Sequence, residues 1–310
     1  MDMNNKTEFP NGVWPVMLTT FDADGNVDYT GLERLIKWYE NEGVAGIFAV
    51  CQSSEMFQLS LDERINIATF VKKKANVPVI ASGHVSYSIE EQVKELNAIA
   101  KTGVDAIIFI SSLLAKEDED DKLLLERLKK LTESLEYDVP LGIYECPYPY
   151  KRVLSDEIIS WCVASEKFYF IKDTCCDIER IKRRLDIMKN SRMKLFNANT
   201  ATLLESVRYG ASGYSGVMAN FHPALYEWML RHYQDQKNTV EELSAVLTMC
   251  SYIEMKNYPQ NAKYALQEMG LSIDLMTRKI NSNGMSPTLE GEVRQLNYLS
   301  GIWKKRLKLI

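Results

Sequence analysis

The sequence has no long hydrophobic run: its most apolar stretches, residues 44–50 and 106–110, fall far short of the roughly 18 residues that a membrane helix requires. No membrane span is expected. Glycine and proline are also sparse, at 15 and 9 in 310 residues, which excludes a fibrous or low-complexity chain. Neither sign of charge dominates, since 37 Lys and Arg are scattered among 42 Asp and Glu for a formal net charge of −5. Nucleic acid and anionic membranes are therefore not expected as partners, and a small molecule is. The opening residues Met1-Asp2-Met3-Asn4-Asn5-Lys6-Thr7-Glu8 lack the apolar segment of a secretory signal, so a cytoplasmic protein is expected. Cysteine is too thinly spread for a disulfide framework: there are six, with Cys175 and Cys176 adjacent, and reduced thiols fit better.

What the sequence does hold is 46% hydrophobic residues, enough at this length for a full core, in a regular alternation. Short apolar or β-branched runs at residues 13–18, 45–50, 77–81, 106–110, 141–144, 168–172, 193–196 and 213–217 read as strands. Between them, stretches such as 29–42, 61–74, 89–102 and 122–136 carry apolar residues at helical spacing. Asp28 and Ser88 stand where helix caps belong, and Ser155-Asp156-Glu157 opens another helix with an acidic first turn. A cap glycine feeding a buried strand recurs at Gly43, Gly103 and Gly210. Eight such units in the first 235 residues predict an α/β protein of the (β/α)8 TIM-barrel type, with the active site in residues 1–235. Residues 236–310 read as helices only, at 239–255, 259–269 and 288–307, forming a C-terminal helical extension packed on the barrel. A doubly wound sheet would call for a glycine-rich loop after the first strand, and Thr19-Thr20-Phe21-Asp22 is not one.

In a barrel the reactive groups come from the C-terminal ends of the strands. Lys172 closes the apolar run Phe168-Tyr169-Phe170-Ile171, where partial desolvation lowers an amine's pKa and frees it to attack a carbonyl. A lysine that snorkels to solvent or pairs with Asp173 is the plainer alternative. Tyr144 ends the neighbouring strand, within reach as a proton shuttle, although an aromatic filling the barrel mouth would look the same. A lysine and a tyrosine on adjacent strand ends form a class I aldolase arrangement. Further candidate substrate contacts at strand ends are the hydroxyls of Thr19, Ser53, Ser54 and Ser215.

The run Gly12-Val13-Trp14-Pro15-Val16-Met17-Leu18-Thr19, the segment Asp24-Gly25-Asn26-Val27-Asp28, the serine loop ending in Glu55, Tyr144 with Pro147, and Ile171-Lys172-Asp173 together resemble the dihydrodipicolinate synthase and N-acetylneuraminate lyase family. The resemblance covers nearly the whole chain. It implies a pyruvate-type 2-keto acid held on Lys172 as a Schiff base, with Tyr144 relaying protons. Ser53 and Ser54, with their loop amides, would hold the carboxylate where the family usually has Gly-Thr-Thr-Gly-Glu. No metal or organic cofactor is implied, and a homo-oligomer, tetramer or dimer, is expected from the likeness.

Several positions depart from the family pattern. The loop reads Cys51-Gln52-Ser53-Ser54-Glu55, so two glycines are replaced and backbone freedom narrows. Leu113 stands where the synthase has a second relay tyrosine, and Leu114 follows it. Pro149 occupies the place of an arginine that grips the second substrate, with Lys151 and Arg152 nearby as substitutes. Glu145 replaces an asparagine, and Asn199-Thr200 replace the acidic pair of the neuraminate lyases. The expected function is a Schiff-base lyase, aldolase or dehydratase, of divergent specificity. Its alternatives are a true dihydrodipicolinate synthase of lysine biosynthesis and a non-enzymatic keto-acid binding protein on the same fold.

Other clusters have blander explanations. Cys51, His84, Cys146, Cys175 and Cys176 fall at strand ends, but no paired C-x-x-C spacing supports a metal, and pocket-lining side chains account for them. The acidic run Glu117-Asp118-Glu119-Asp120-Asp121 precedes a helix and suits its N-terminal turn. The basic run Trp303-Lys304-Lys305-Arg306-Leu307-Lys308 suits a helix C-terminus.

Overall fold

The computed structural model describes residues 9–279 and 284–310. Strands and helices alternate as β1 (Gly12–Val13), α1 (Tyr29–Asn41), β2 (Ile47–Val50), α2 (Leu61–Lys74), β3 (Val79–Ser82), α3 (Ile89–Ala100) and β4 (Ala106–Ile110). A short α4 (Ser111–Leu114) and α5 (Asp121–Glu133) then lead to β5 (Leu141–Tyr144), α6 (Asp156–Ala164), β6 (Phe168–Asp173), α7 (Ile178–Ile187) and β7 (Lys194–Asn197). The barrel is completed by α8 (Thr200–Arg208), β8 (Gly213–Tyr214) and α9 (Pro223–His232), and the chain continues as α10 (Lys237–Cys250), α11 (Gln260–Glu268) and α12 (Pro287–Arg306). All eight strands are parallel, in the order β1-β8-β7-β6-β5-β4-β3-β2. This is the expected (β/α)8 barrel with C-terminal helices.

The first strand is much shorter than its sequence suggests, because its ladder partner β8 itself ends at Tyr214. After Trp14 donates to the Tyr214 carbonyl (2.8 Å), the chain turns its hydrogen bonds to the other neighbour. Phe48 donates to Pro15 (3.0 Å), Met17 donates to Phe48 (3.0 Å), and Val16 bridges Phe48 in parallel, which closes the barrel between β1 and β2. The last strand is short as well, because Ser215 donates to the Asn197 carbonyl (2.9 Å) and the chain then coils into a 3-10 turn, Val217–Asn220. The expected helix over 239–255 breaks too: α10 ends at Cys250 and a 3-10 turn, Ser251–Met255, follows.

The caps sit where the residue types place them. Asp28, Ser88 and Ser155 accept amide hydrogens at the starts of α1, α3 and α6. Asp120 caps α5, Glu119 pairs with Arg127 (2.8 Å) and Asp121 with Arg152 (2.8 Å), so the acidic run is the helix start it was expected to be. At the end of α12, Lys304 pairs with Glu42 (2.6 Å) and Arg306 with Glu242 (2.6 Å), leaving Trp303 buried. No helix among the described residues is long and apolar enough to cross a membrane.

Barrel closure leaves Trp14 fully enclosed against Phe9, Phe170 and Phe196. Its ring takes the space beside Gly46, where a Cβ would lie 2.4 Å from the indole. Gly46→Ala should therefore overpack the barrel floor and lower the unfolding free energy by about 1–3 kcal/mol, seen as a lower urea midpoint with an unchanged slope.

Candidate active site

Parallel pairing of β5 with β6 sets Tyr144 directly beside Lys172 in the ladder. Both strands are apolar up to those residues, so each polar group emerges at the C-terminal rim of the barrel. The Lys172 amine lies 4.2 Å from the centroid of the Tyr144 ring and 5.8 Å from that of Phe48, an aromatic of β2. Lys172 is only 4% exposed, and no described side chain forms a hydrogen bond or ion pair with its amine. Burial pushes its pKa down to about 8 against the opposing pull of Cys51, Cys146 and Glu254. The structure therefore favours the buried amine over the snorkelling one, and Asp173 is engaged elsewhere.

That engagement is with Arg184 of α7. Asp173 and Glu145, the residues that directly follow Lys172 and Tyr144, both clasp its guanidinium, Glu145 at 2.5 Å, and all three side chains are fully enclosed. Arg184 also donates to the Leu154 carbonyl (2.7 Å), and Glu145 accepts from the amides of Leu154 (2.7 Å) and Thr174 (2.9 Å). Burial raises the pKa of Glu145 while Arg184 opposes the shift. Glu145 thus serves beneath the two strand ends and does not line the cavity above them.

The cavity above Lys172 has a volume of about 700 Å³. Of the four hydroxyl candidates, Ser53 lines it. The others turn away. The Ser54 hydroxyl is held by the carbonyls of Met17 (2.7 Å) and Ala49 (2.9 Å), because the serine that replaces a glycine here pins the loop to β1 and β2. Thr19 donates to the Ser54 carbonyl (2.8 Å), supporting the loop from below. Ser215 is fully enclosed, its hydroxyl without a hydrogen-bond partner among the described residues, and it is not part of the cavity lining. Gln52, in the loop that the sequence singles out but with no role assigned to it there, accepts from the Tyr144 hydroxyl (3.3 Å) and the Cys146 thiol (3.6 Å). Burial lifts the Tyr144 phenol well above its ordinary pKa, so it stays protonated.

The far wall comes from the helical extension, which the sequence had suggested only as packing. Glu254 and Met255 from the 3-10 turn after α10, together with Tyr258 and Lys279, line the same cavity. Glu254 has no hydrogen-bond partner among the described residues, and burial raises its pKa to about 7 against the pull of Lys172. Glu55 also borders the cavity, in left-handed backbone (φ 60°). Its carboxylate is fully committed, accepting from Thr277 Oγ1 (2.7 Å), Arg278 N (2.6 Å) and Lys279 N (2.9 Å) and pairing with buried Lys263 (3.5 Å). It ties the extension to the serine loop.

Of the two cationic substitutes foreseen, Lys151 lines the cavity, whereas Arg152 is tied to Asp121 and to the carbonyls of Lys116 and Glu119. Asn199 lines it; Thr200 is buried against the Tyr226 hydroxyl (2.8 Å). Leu113 and Leu114 are packed in the core. His84 is enclosed and accepts from the Ile110 amide through Nε2 (3.0 Å). Among the described residues no group of His, Cys, Asp or Glu comes together to hold a metal ion.

A model of the dihydrodipicolinate synthetase family matches residues 9–282. The chain belongs to this family. Its relatives include the 4-hydroxy-tetrahydrodipicolinate synthase of Methanothrix thermoacetophila, 24% identical over 262 residues that span 83% of this chain and 87% of that one. Among solved structures, the chloride-inhibited dihydrodipicolinate synthase of Acinetobacter baumannii, complexed with pyruvate, has a TM-score of 0.83 at 24% identity and covers 95% of this chain and 99% of its own. CdNal of Clostridium difficile, in complex with mannosamine, has a TM-score of 0.82 at 19% identity, covering 97% of this chain and 100% of its own. Family membership accounts for the barrel and its helical extension.

Arg184 is the sole cation clasped by Glu145 and Asp173 among the described residues. Arg184→Met would strand those carboxylates in the interior, and a loss of about 3–5 kcal/mol in unfolding free energy is expected from denaturant titration.

Proposed function

We propose that this chain is a Schiff-base lyase, an aldolase or dehydratase, acting on pyruvate or another 2-keto acid. One observation carries the proposal: a buried amine with no hydrogen-bond or ion-pair partner among the described residues, poised beside a tyrosine at the strand ends of this family's barrel. The neutral amine of Lys172 attacks the keto carbon, and the carbinolamine loses water to give an iminium. Tyr144, held protonated by burial, gives its proton to the oxygen that leaves. The iminium is the electron sink for breaking a carbon–carbon or carbon–oxygen bond, so the reaction needs no metal or organic cofactor. The Ser53 hydroxyl and the first amides of the 3-10 turn Gln52–Ser54, which have no acceptor within the turn, orient the substrate carboxylate. Pyruvate in the complex with the A. baumannii relative supports the substrate class. A homo-oligomer in the cytoplasm belongs to the same proposal.

The second reading is 4-hydroxy-tetrahydrodipicolinate synthase itself, the name that the relatives carry. Against it stand Leu113 and Pro149 at two positions that the synthase uses, while Lys151 on the cavity wall is a cation available for another partner. A keto-acid binding protein without turnover is the third reading.

Incubation with pyruvate followed by borohydride should add one reduced pyruvate to the intact mass, and Lys172→Ala should abolish the adduct. Trapping should rise with pH through about 8, where the lysine loses its proton, because only the free amine attacks. A wild-type protein that never traps pyruvate, or an adduct that survives Lys172→Ala, overturns the assignment. Turnover with aspartate semialdehyde would support the synthase, turnover with keto-deoxy sugar acids the divergent lyase, and trapping without turnover of either the binding protein.

A further inference from the structure

In the proposed imine step the Tyr144 hydroxyl gives its proton to the leaving oxygen, and its hydrogen bond runs to Gln52 Oε1, an amide carbonyl that accepts without handing a proton onward as a hydroxyl does. Lyase chemistry on a 2-keto acid also requires a base beside the carbon next to the imine. Two carboxylates border the described cavity, and Glu55 spends its oxygens on Thr277, Arg278, Lys279 and Lys263. Glu254 is the other. It stands on the turn that closes the cavity from the helical extension, it has no hydrogen-bond partner among the described residues, and it is close enough to Lys172 for each to shift the other's titration.

We infer that Glu254 is the base that takes the C3 proton from the keto acid bound to Lys172, an inference that rests on the Schiff-base reading of that lysine. In this step the C3–H bond breaks and its proton goes to a Glu254 oxygen. The bonding pair becomes the C2=C3 double bond, and the π pair of the C2=N iminium returns to nitrogen, giving a neutral enamine. Return of the proton from Glu254 to C3 restores the iminium, which water hydrolyses to keto acid and free lysine. No oxidant, reductant or second reactant is required.

The groups that face Glu254 are Lys172 on β6, Tyr214 on β8, Tyr226 on α9 and Tyr258 before α11, with Lys279 on the same cavity wall. Burial raises all three phenols above their ordinary pKa, so they are neutral where Glu254 ionises. The carboxylate therefore becomes available as pH rises through about 7, one step before the amine of Lys172 does so at about 8.

The test needs pyruvate alone. Exchange of its methyl protons in deuterium oxide, followed by proton NMR, reports enamine formation, and borohydride trapping in the same samples reports the imine. In Glu254→Gln, trapping should persist with its rise moved to lower pH, since the carboxylate that raises the lysine pKa is gone, while exchange falls by about 10² to 10⁴-fold and the limb of exchange near pH 7 vanishes. Glu254→Asp should keep part of the exchange and the limb. Exchange in Glu254→Gln as fast as in the wild type overturns the inference while leaving Lys172 in place, and so does a joint loss of trapping and exchange, which would make Glu254 a support for the lysine. A wild-type protein that traps no pyruvate overturns the Schiff-base reading, and the inference with it.

Discussion

The site depends on one buried cation. Arg184 lies under the barrel rim and holds the carboxylates of Glu145 and Asp173, each the residue after a site residue on adjacent strands. Two negative groups without a counter-charge would not stay in an apolar interior, since an unpaired buried charge costs several kcal/mol. With Arg184 between them they can. The strand ends are thereby clamped at the point where Tyr144 and Lys172 emerge, and the amine rests against the phenol ring.

Desolvation then does two things at once above that clamp. It lowers the pKa of Lys172 to about 8 and raises that of Glu254 to about 7, so an amine and a carboxylate that ordinarily titrate at opposite ends of the pH scale do so at nearly the same pH. In water such a pair would be fully ionised at neutral pH. In this cavity burial moves both toward their neutral forms. The cause is the enclosure made by the helical extension, which brings Glu254, Tyr258 and Lys279 over the barrel mouth. Glu55 secures that cover by accepting hydrogen bonds from Thr277, Arg278 and Lys279 while standing in the same loop as Ser53.

The departures from the family pattern follow a consistent physical logic. Ser54 in place of a glycine does not become a ligand; its hydroxyl bonds to the carbonyls of Met17 and Ala49 and stiffens the loop. Gln52 in place of a hydroxyl residue ends the hydrogen-bond chain from Tyr144. Glu145 in place of an asparagine is compensated by Arg184 and Asp173. Each of these three substitutions is answered by at least one partner well separated in sequence. Lys151 stays on the cavity wall while Arg152 is drawn off by Asp121, which no spacing argument distinguishes.

The sequence by itself determined the barrel, because the alternation of apolar runs with amphipathic stretches is a local property of each segment. It also placed Lys172 and Tyr144 at the rim, since an apolar strand that ends in a polar residue presents that residue there. It misjudged the first strand, whose ladder stops with its short partner β8, and the helix over 239–255, which tightens into a 3-10 turn at residue 251. Which way a hydroxyl turns was beyond it: Ser53 faces the cavity and Ser54 and Thr19 face the backbone, because the choice depends on carbonyls supplied by other strands. Glu254 was hidden for the same reason. Period and composition describe neighbours along the chain, whereas burial, pairing and the protonation of a carboxylate are set by residues about 80 positions away, and only the tertiary fold brings those together.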